Sequence, residues 1–345
     1  MMPRDLLIGP RSIALFLSAF LLPVSCTSAR SGPTGGSTSA AGSAISSPVE
    51  VLGGLSPAEP MAVPRAVHTA TRLSDGRVLI AGGFDDEGGN ESSAELFDPV
   101  AGEFSPTGSM STSRNSQTAT LLRDGRVLIV GGTGAGYSFL ASVLLYDPTT
   151  GTFTPTGRMS VPRESATATP ISGGRVLIAG GHAGRHEAIR IYASAEVYDV
   201  ATGTFASVGD MTIPRHKHDA VRLRDGRVLI VGGSDERDDA GLYRSAEIFD
   251  PRTNTFHATG RLHEGRYKMR GTSVRLADGR LLVCCGADRA ELFDPSSGVF
   301  RRIAGSFGSS PLFAAAVRIG PEELLVTGGY SLTGPATAET WIIQL

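Results

Sequence analysis

The chain has 345 residues, with 32 Lys and Arg against 34 Asp and Glu for a formal net charge of −2, and it holds 44 Gly, 20 Pro and 3 Cys. Near-neutral charge with both signs interspersed excludes a general nucleic-acid binder, which needs a basic excess against phosphates, and three cysteines exclude a disulfide scaffold. At 41% apolar residues the chain can bury a core, and a glycine content well above the usual ~7% announces many tight turns.

Residues 1–25 read as a secretory signal: Arg4 and Arg11 precede the uncharged run Ser12 to Val24, which is too short to span a bilayer. The run closes on Leu22-Pro23-Val24-Ser25-Cys26, which resembles the bacterial lipobox, with Pro23 where Leu is usual. In that motif the Cys sulfur receives diacylglycerol, so Cys26 is the expected lipidation site and the membrane is reached through a lipid anchor. The alternative is ordinary signal cleavage nearby, with Cys26 lost or incidental. Residues 27–48 are Ser/Thr/Gly/Ala-rich with almost no charge and read as a flexible tether. The expected address is bacterial and exported: lipid-anchored in the cell envelope, or periplasmic or extracellular.

From residue 49 one pattern recurs six times. An apolar strand ends in a glycine pair at Gly82/Gly83, Gly131/Gly132, Gly180/Gly181 and Gly232/Gly233, degenerates at Cys285/Gly286, and returns at Gly328/Gly329. In front of it stand Asp75-Gly76, Asp124-Gly125, Gly173-Gly174, Asp225-Gly226 and Asp278-Gly279, dipeptides that suit two-residue type I′ hairpins. A third strand follows at Ala94, Val143, Ala195, Ala246, Ala290 and Ala338, most copies ending in Asp-Pro, and a fourth strand carries Phe104, Phe153, Phe205, Phe256 and Phe300. The glycine pairs lie 43 to 53 residues apart.

The glycine pair, the aromatic just before a turn Asp and the Met-x-x-Pro-Arg return resemble the kelch repeat, whose units are four-stranded propeller blades with a period near 50. That resemblance implies an all-β, six-bladed kelch-type β-propeller over residues 49–345, with blades at about 66–108, 115–157, 164–209, 216–260, 267–303 and 312–345. The last blade lacks a fourth strand, and residues 49–55 stand in register to supply it, so an N-terminal strand is expected to close the ring. Many kelch units carry Trp near the outer strand; here Phe takes its place.

Arg65, Arg114, Arg163, Arg215 and Arg266 share one repeat position, and Glu95, Glu196, Glu247, Glu291 and Glu339 share another. Such columns invite an anion site or, more simply, one ion pair per blade. Pro311 replaces the Arg in blade six and Leu144 the Glu in blade two, leaving partners there more available to a ligand. The loops between second and third strands vary most and are where binding is expected. Blade three contributes the candidates His182, Arg185, His186, Arg190 and Tyr192, against the acidic Asp85, Asp86 and Glu87 of blade one. Lys217 and Lys268 join them from the expected innermost strand, just after the arginines, which lines the central channel. His216 and His218, two apart on an expected strand, would face the same way with His68 equivalent to His218, and Glu164 is the best-placed carboxylate for acid/base work. These three residues, Glu164, His216 and His218, are the catalytic candidates; no complete metal set is seen and no cofactor is expected. Cys284-Cys285 reads as two small strand residues, with a vicinal disulfide open in an oxidising compartment.

Two functional classes follow. One is a monomeric binding module offering its second-to-third-strand loop face to a protein or glycan. The other is a carbohydrate-active enzyme, for which exported kelch propellers resembling sialic-acid mutarotase or galactose oxidase give the analogy. The oxidase comparison lacks its Cys-Tyr crosslink partner, since the only cysteines in the repeats sit together.

Overall fold

The computed structural model describes residues 61–84, 89–98, 100–308, 310, 312, 315–318, 323–327 and 340–344. The signal segment, Cys26, the tether, the closing strand at 49–55, Asp85 to Glu87, Pro311 and Glu339 lie outside the described residues. The described strands form six antiparallel blade sheets in chain order, with a separate two-stranded hairpin, His182–Ala183 and Arg190–Ile191, in a loop of blade three. Blade one is Thr69–Arg72, Val78–Ala81, Ala94–Asp98 and Glu103–Pro106. Blade two is Thr118–Leu121, Val127–Val130, Ser142–Asp147 and Thr152–Arg158. Blade three is Thr167–Ile171, Arg175–Ala179, Ala195–Asp199 and Thr204–Ser207. Blade four is Asp219–Arg222, Val228–Val231, Ser245–Asp250 and Thr255–Arg261. Blade five is Val274–Arg275, Leu281–Val283, Glu291–Asp294 and Val299–Arg302. Blade six shows three strands, Ala315–Arg318, Glu323–Thr327 and Thr340–Gln344.

The unbroken apolar run of each second strand has a physical cause. Alternate side chains point to opposite faces, and each face is covered by a different neighbour. Val127 and Ile129 join the cluster with Leu79 and Leu96 of blade one, while Leu128 and Val130 join that with Val176 and Ile178 of blade three. The core therefore lies between blades. On each of the first five sheets the third-strand aromatic meets the fourth-strand Phe, as Tyr146 does Phe153 at 4.7 Å between ring centres, so Phe packs where many kelch units carry Trp.

The first hairpin corrects the expected turn. Leu73 N–H donates to Arg77 O at 2.8 Å and Gly76 N–H to Leu73 O at 3.1 Å. The loop is three residues long, with positive φ at Gly76 but not at Asp75; a type I′ turn needs both. The same pattern recurs at Leu122/Arg126, Leu223/Arg227 and Leu276/Arg280. The Asp carboxylate supplies the stop, accepting the N–H two residues on, as Asp75 does from Arg77 at 3.0 Å. The turn Asp at the end of the third strand works the same way: Asp98 Oδ1 accepts Val100 N–H at 2.8 Å.

The glycine pair joins blades. Gly83 N–H donates to Arg114 O of the next blade at 2.8 Å, and Gly132, Gly181 and Gly233 repeat the bond to Arg163, Arg215 and Arg266. A Cβ on Gly82 would lie 2.5 Å from Arg114 O, so that position admits no side chain. In blade five the sulfurs of Cys284 and Cys285 are bonded as a vicinal disulfide, which replaces the reading of two separate small residues.

Candidate functional site

The arginine column is structural, and each guanidinium sits in a cage. Arg215 Nη1 donates to Gly232 O at 2.7 Å and Ser245 O at 3.2 Å, and Nη2 donates to Ser245 Oγ at 3.0 Å and Glu247 Oε1 at 2.8 Å. Glu247 Oε2 also accepts Thr212 N–H at 2.8 Å, fixing the bend that enters the blade. Ion pairs Arg65–Glu95, Arg163–Glu196 and Arg266–Glu291 repeat the arrangement. Leu144 leaves Arg114 without a carboxylate, yet Arg114 is fully buried in its carbonyl cage. The expectation that it would be open to a ligand is therefore corrected.

The histidine geometry is corrected too. Lys217 has φ +53°, and regular strand pairing begins only at Asp219. His216 and His218 thus do not sit two apart on one strand. His218 is buried beside Thr167 Oγ1 at 3.0 Å. His216 instead bridges across to His182, their Nδ1 atoms 3.0 Å apart. Val67, Ser116, Ser165, Lys217 and Lys268 all take positive φ, and successive members join by backbone hydrogen bonds, from Ser116 N–H to Val67 O through Lys268 N–H to Lys217 O. They form a collar at the mouth of the channel.

Above the collar, in blades one to four, the residue after the glycine pair bridges the residue after the arginine: Phe84 with Ala66, Thr133 with Asn115, His182 with Glu164, and Ser234 with His216. This row unites several of the separately chosen candidates. Glu164, 5% exposed, accepts from Thr133 Oγ1 at 2.6 Å and pairs with Arg185 at 2.7 Å. His182, expected on the surface, is buried beneath Arg185, because its bridge to Glu164 turns it inward. Asp235 O can only accept, so His216 Nε2 donates to it at 3.2 Å. Arg185 Nη1 can only donate, so His182 Nε2 accepts from it at 3.4 Å and His182 Nδ1–H donates to His216 Nδ1. Burial first, then His216 and Arg185, pulls the His182 imidazole down to about 3. Lys217 binds Asp238 at 2.6 Å; burial alone would raise the Asp238 carboxyl, but hydrogen bonds from His216 and Lys217 hold it well below the usual range.

Arg190 and His186 are exposed and lie apart from this cluster, on the hairpin His182–Ala183/Arg190–Ile191 and its connecting turn. Tyr192 lies against the Arg163 guanidinium, 5.1 Å from its ring centre, and Lys268 stands 5.0 Å from the Tyr267 ring centre. The cluster opens into a cavity of about 480 Å³ lined by Phe84, Asn90, Asn115, Tyr137, Glu164 and Arg185. Tyr137, 74% exposed, and Phe84, 36% exposed, present aromatic surface beside Glu164 and Arg185. Asn90, Phe84 and Tyr137 were missed in the sequence; the signal was the row itself, since Phe84 holds the position of Thr133, His182 and Ser234.

A second column was missed. Four residues after each arginine stand Thr69, Thr118, Thr167, Asp219 and Arg270, and all five line a deeper channel cavity of about 310 Å³. Among the described residues, no group of three or more His, Cys, Asp or Glu side chains converges as a metal would need.

The Kelch motif matches residues 65–111 and 165–212, which span blade one and blade three. No curated protein matches the chain. The solved structure of YjhT is similar over 84% of this chain and 97% of its own, at 14% identity and a TM-score of 0.64, a likeness that shows the fold alone. Motif, repeat columns and sheets agree on the fold, a kelch-type β-propeller with the Kelch motif matched in blades one and three.

Proposed function

We propose that this propeller is an exported binding module whose loop face takes a glycan in the cavity over blades one to three. The observation that carries this reading is the exposed ring of Tyr137 in one cavity with the Glu164–Arg185 pair and the amides of Asn90 and Asn115. A sugar presents an apolar face to an aromatic ring and hydroxyls to fixed donors and acceptors, and few precisely placed polar groups in such a cleft orient a ligand. Tyr137 holds φ +59°, an unfavourable conformation for a bulky residue, at the tip of the loop that projects it. The leader and tether support presentation of this face outside the cytoplasm, anchored at Cys26.

The test is a glycan panel screened by calorimetry against the protein and its Tyr137→Ala variant. Binding that weakens about tenfold or more in the variant, at unchanged melting temperature, is the expected result. Indifference to every glycan, with a protein partner captured equally by both forms, would defeat it. One observation favours sugar isomerisation as a second reading: Glu164 Oε2 lies 3.7 Å from His182 Nε2 inside the same cavity wall. A Glu164→Gln variant that binds sugar normally yet loses anomer exchange would establish it.

A further inference from the structure

Blade five departs from its siblings in one place. From arginine to turn aspartate, Arg65 to Asp75 and Arg215 to Asp225 each span ten positions, whereas Arg266 to Asp278 spans twelve. The two extra residues make a tight turn over Met269–Thr272. Thr272 N–H donates to Met269 O at 3.1 Å, and Gly271 at the third position has φ +77°, the geometry of a type II turn that favours glycine there. Arg270 is the second residue of that turn. It reaches across the axis to blade two, where Nη1 donates to Gln117 O at 3.0 Å.

Asp219 holds the turn in place. Its Oδ1 accepts Gly271 N–H and Ala220 N–H, each at 2.9 Å, and its Oδ2 accepts Ser273 N–H at 2.9 Å. The carboxylate is spent on three backbone donors, and Arg270 forms no ion pair among the described residues. Of the five N–H donors that a guanidinium carries, those on Nε and Nη2 make no hydrogen bond among the described residues, and Arg270 lines the channel cavity. Beside them Thr118, 7% exposed, has a buried hydroxyl oxygen without a partner, and Thr69 and Thr167 add hydroxyls to the wall.

We propose that the channel beneath the collar is an oxyanion site, in which the Nε and Nη2 edge of Arg270 takes two oxygens of a carboxylate or phosphate group and the Thr118 hydroxyl donates to one of them. That edge is the planar fork suited to two-oxygen acceptors, and lysine cannot reproduce it. The inserted turn is what makes the site: without two extra residues the column position would remain on the channel wall, as Thr69 and Thr118 do. The ligand enters a place distinct from the loop-face cavity, and the inference does not rest on the glycan reading.

The test is NMR titration of the intact protein with sodium acetate, and separately with inorganic phosphate, against sodium chloride at matched ionic strength. The expected result is saturable movement of the Arg270 Nε–H signal and the Thr118 amide with one or both oxyanions. Acetate alone identifies a carboxylate ligand, phosphate alone a phosphate, and both a general oxyanion site. Arg270→Lys keeps the charge and should abolish saturation; Thr118→Val should weaken it about tenfold at unchanged melting temperature. Tyr137→Ala should leave it untouched, which separates this site from the loop face. Linear movement equal to that with chloride, or saturation surviving in Arg270→Lys and Thr118→Val alike, would overturn the proposal.

Discussion

Blades two and four are built on the same four strands and the same arginine cage, yet they fill three repeat columns differently. Arg114 faces Leu144 where Arg215 faces Glu247. Asn115 bridges Thr133 where His216 bridges Ser234. Tyr146 stands where blade four has Phe249. Both guanidinia are fully buried and hold the carbonyl and hydroxyl of one serine, Ser142 or Ser245. The cage of backbone acceptors thus suffices to place an arginine. The carboxylate adds neutralisation and ties down the entering bend. Burial pulls Arg114 down to about 10 with nothing opposing it, whereas in Arg215 burial is opposed by Glu247.

The largest effect should come from making blade four resemble blade two. Glu247→Leu strips Arg215 of its counter-charge and Thr212 N–H of its acceptor, and removing one member of a buried pair costs about 3 to 5 kcal/mol. Urea unfolding measures it. A loss under about 1 kcal/mol would show that the carbonyl cage carries blade four as it does blade two.

The second column brings in pH through blade three, whose His182 meets blade four at His216. Asn115 and Thr133 do not titrate, but His182, joined to His216, is depressed to about 3 in the folded protein against a reference of 6.5. Between those values the unfolded chain binds a proton that the folded one refuses, so stability is lost as pH falls through that window. The expected loss is about 2 kcal/mol by about pH 5. His182→Asn should remove about 2 kcal/mol of the acid loss and leave the share of His218 and His68, which burial also depresses, read from melting curves between neutral pH and pH 4; an unchanged slope would place the acid sensitivity elsewhere.

The propeller was legible because its signals are covalently local and repeated: glycine pairs that must take positive φ, turn aspartates, and apolar strands covered on both faces. The arginine–glutamate pairing was legible as two columns, though the serine completing the cage was overlooked because serine carries no strong pattern of its own. The site was read only in part. Glu164, His182, Arg185, His216 and Lys217 were all chosen from sequence, but for separate roles, since nothing along the chain says that His182 turns inward to meet His216. The error with His216 and His218 came from assuming a strand where Lys217 adopts a left-handed conformation. Arg270 is not legible because a two-residue insertion between Arg266 and Asp278 takes it out of the repeat frame.

The converse exchange sharpens the comparison at smaller cost. Leu144→Glu places a carboxylate in the register position that Glu247 occupies, opposite Ile129 as Glu247 is opposite Ile230. It should neutralise Arg114 and offer the Ser111 N–H an acceptor, gaining about 1 to 2 kcal/mol in urea unfolding. Destabilisation would mean that blade two has closed around leucine and no longer has room for the pair.

The third column shows how neighbouring blades change together. Tyr146 OH meets Thr107 Oγ1 of blade one at 2.9 Å, and Tyr198 OH meets Thr156 Oγ1 of blade two at 2.7 Å. Where blade four has Phe249, the position equivalent to Thr107 and Thr156 is Val208, packed in the same apolar cluster. A hydroxyl pair has been exchanged for a methyl-and-ring contact, because either both polar partners or neither satisfies a buried interface. Tyr146→Phe should therefore cost about 1 kcal/mol and leave Thr107 to its weaker contact with Gly151 O at 3.4 Å. Phe249→Tyr alone should also destabilise, by burying a hydroxyl against valine, and adding Val208→Thr should recover about 1 kcal/mol of that loss. A double-mutant cycle that gives no coupling between 208 and 249 would separate the two changes and leave the Tyr–Thr bonds of the earlier blades without energetic weight.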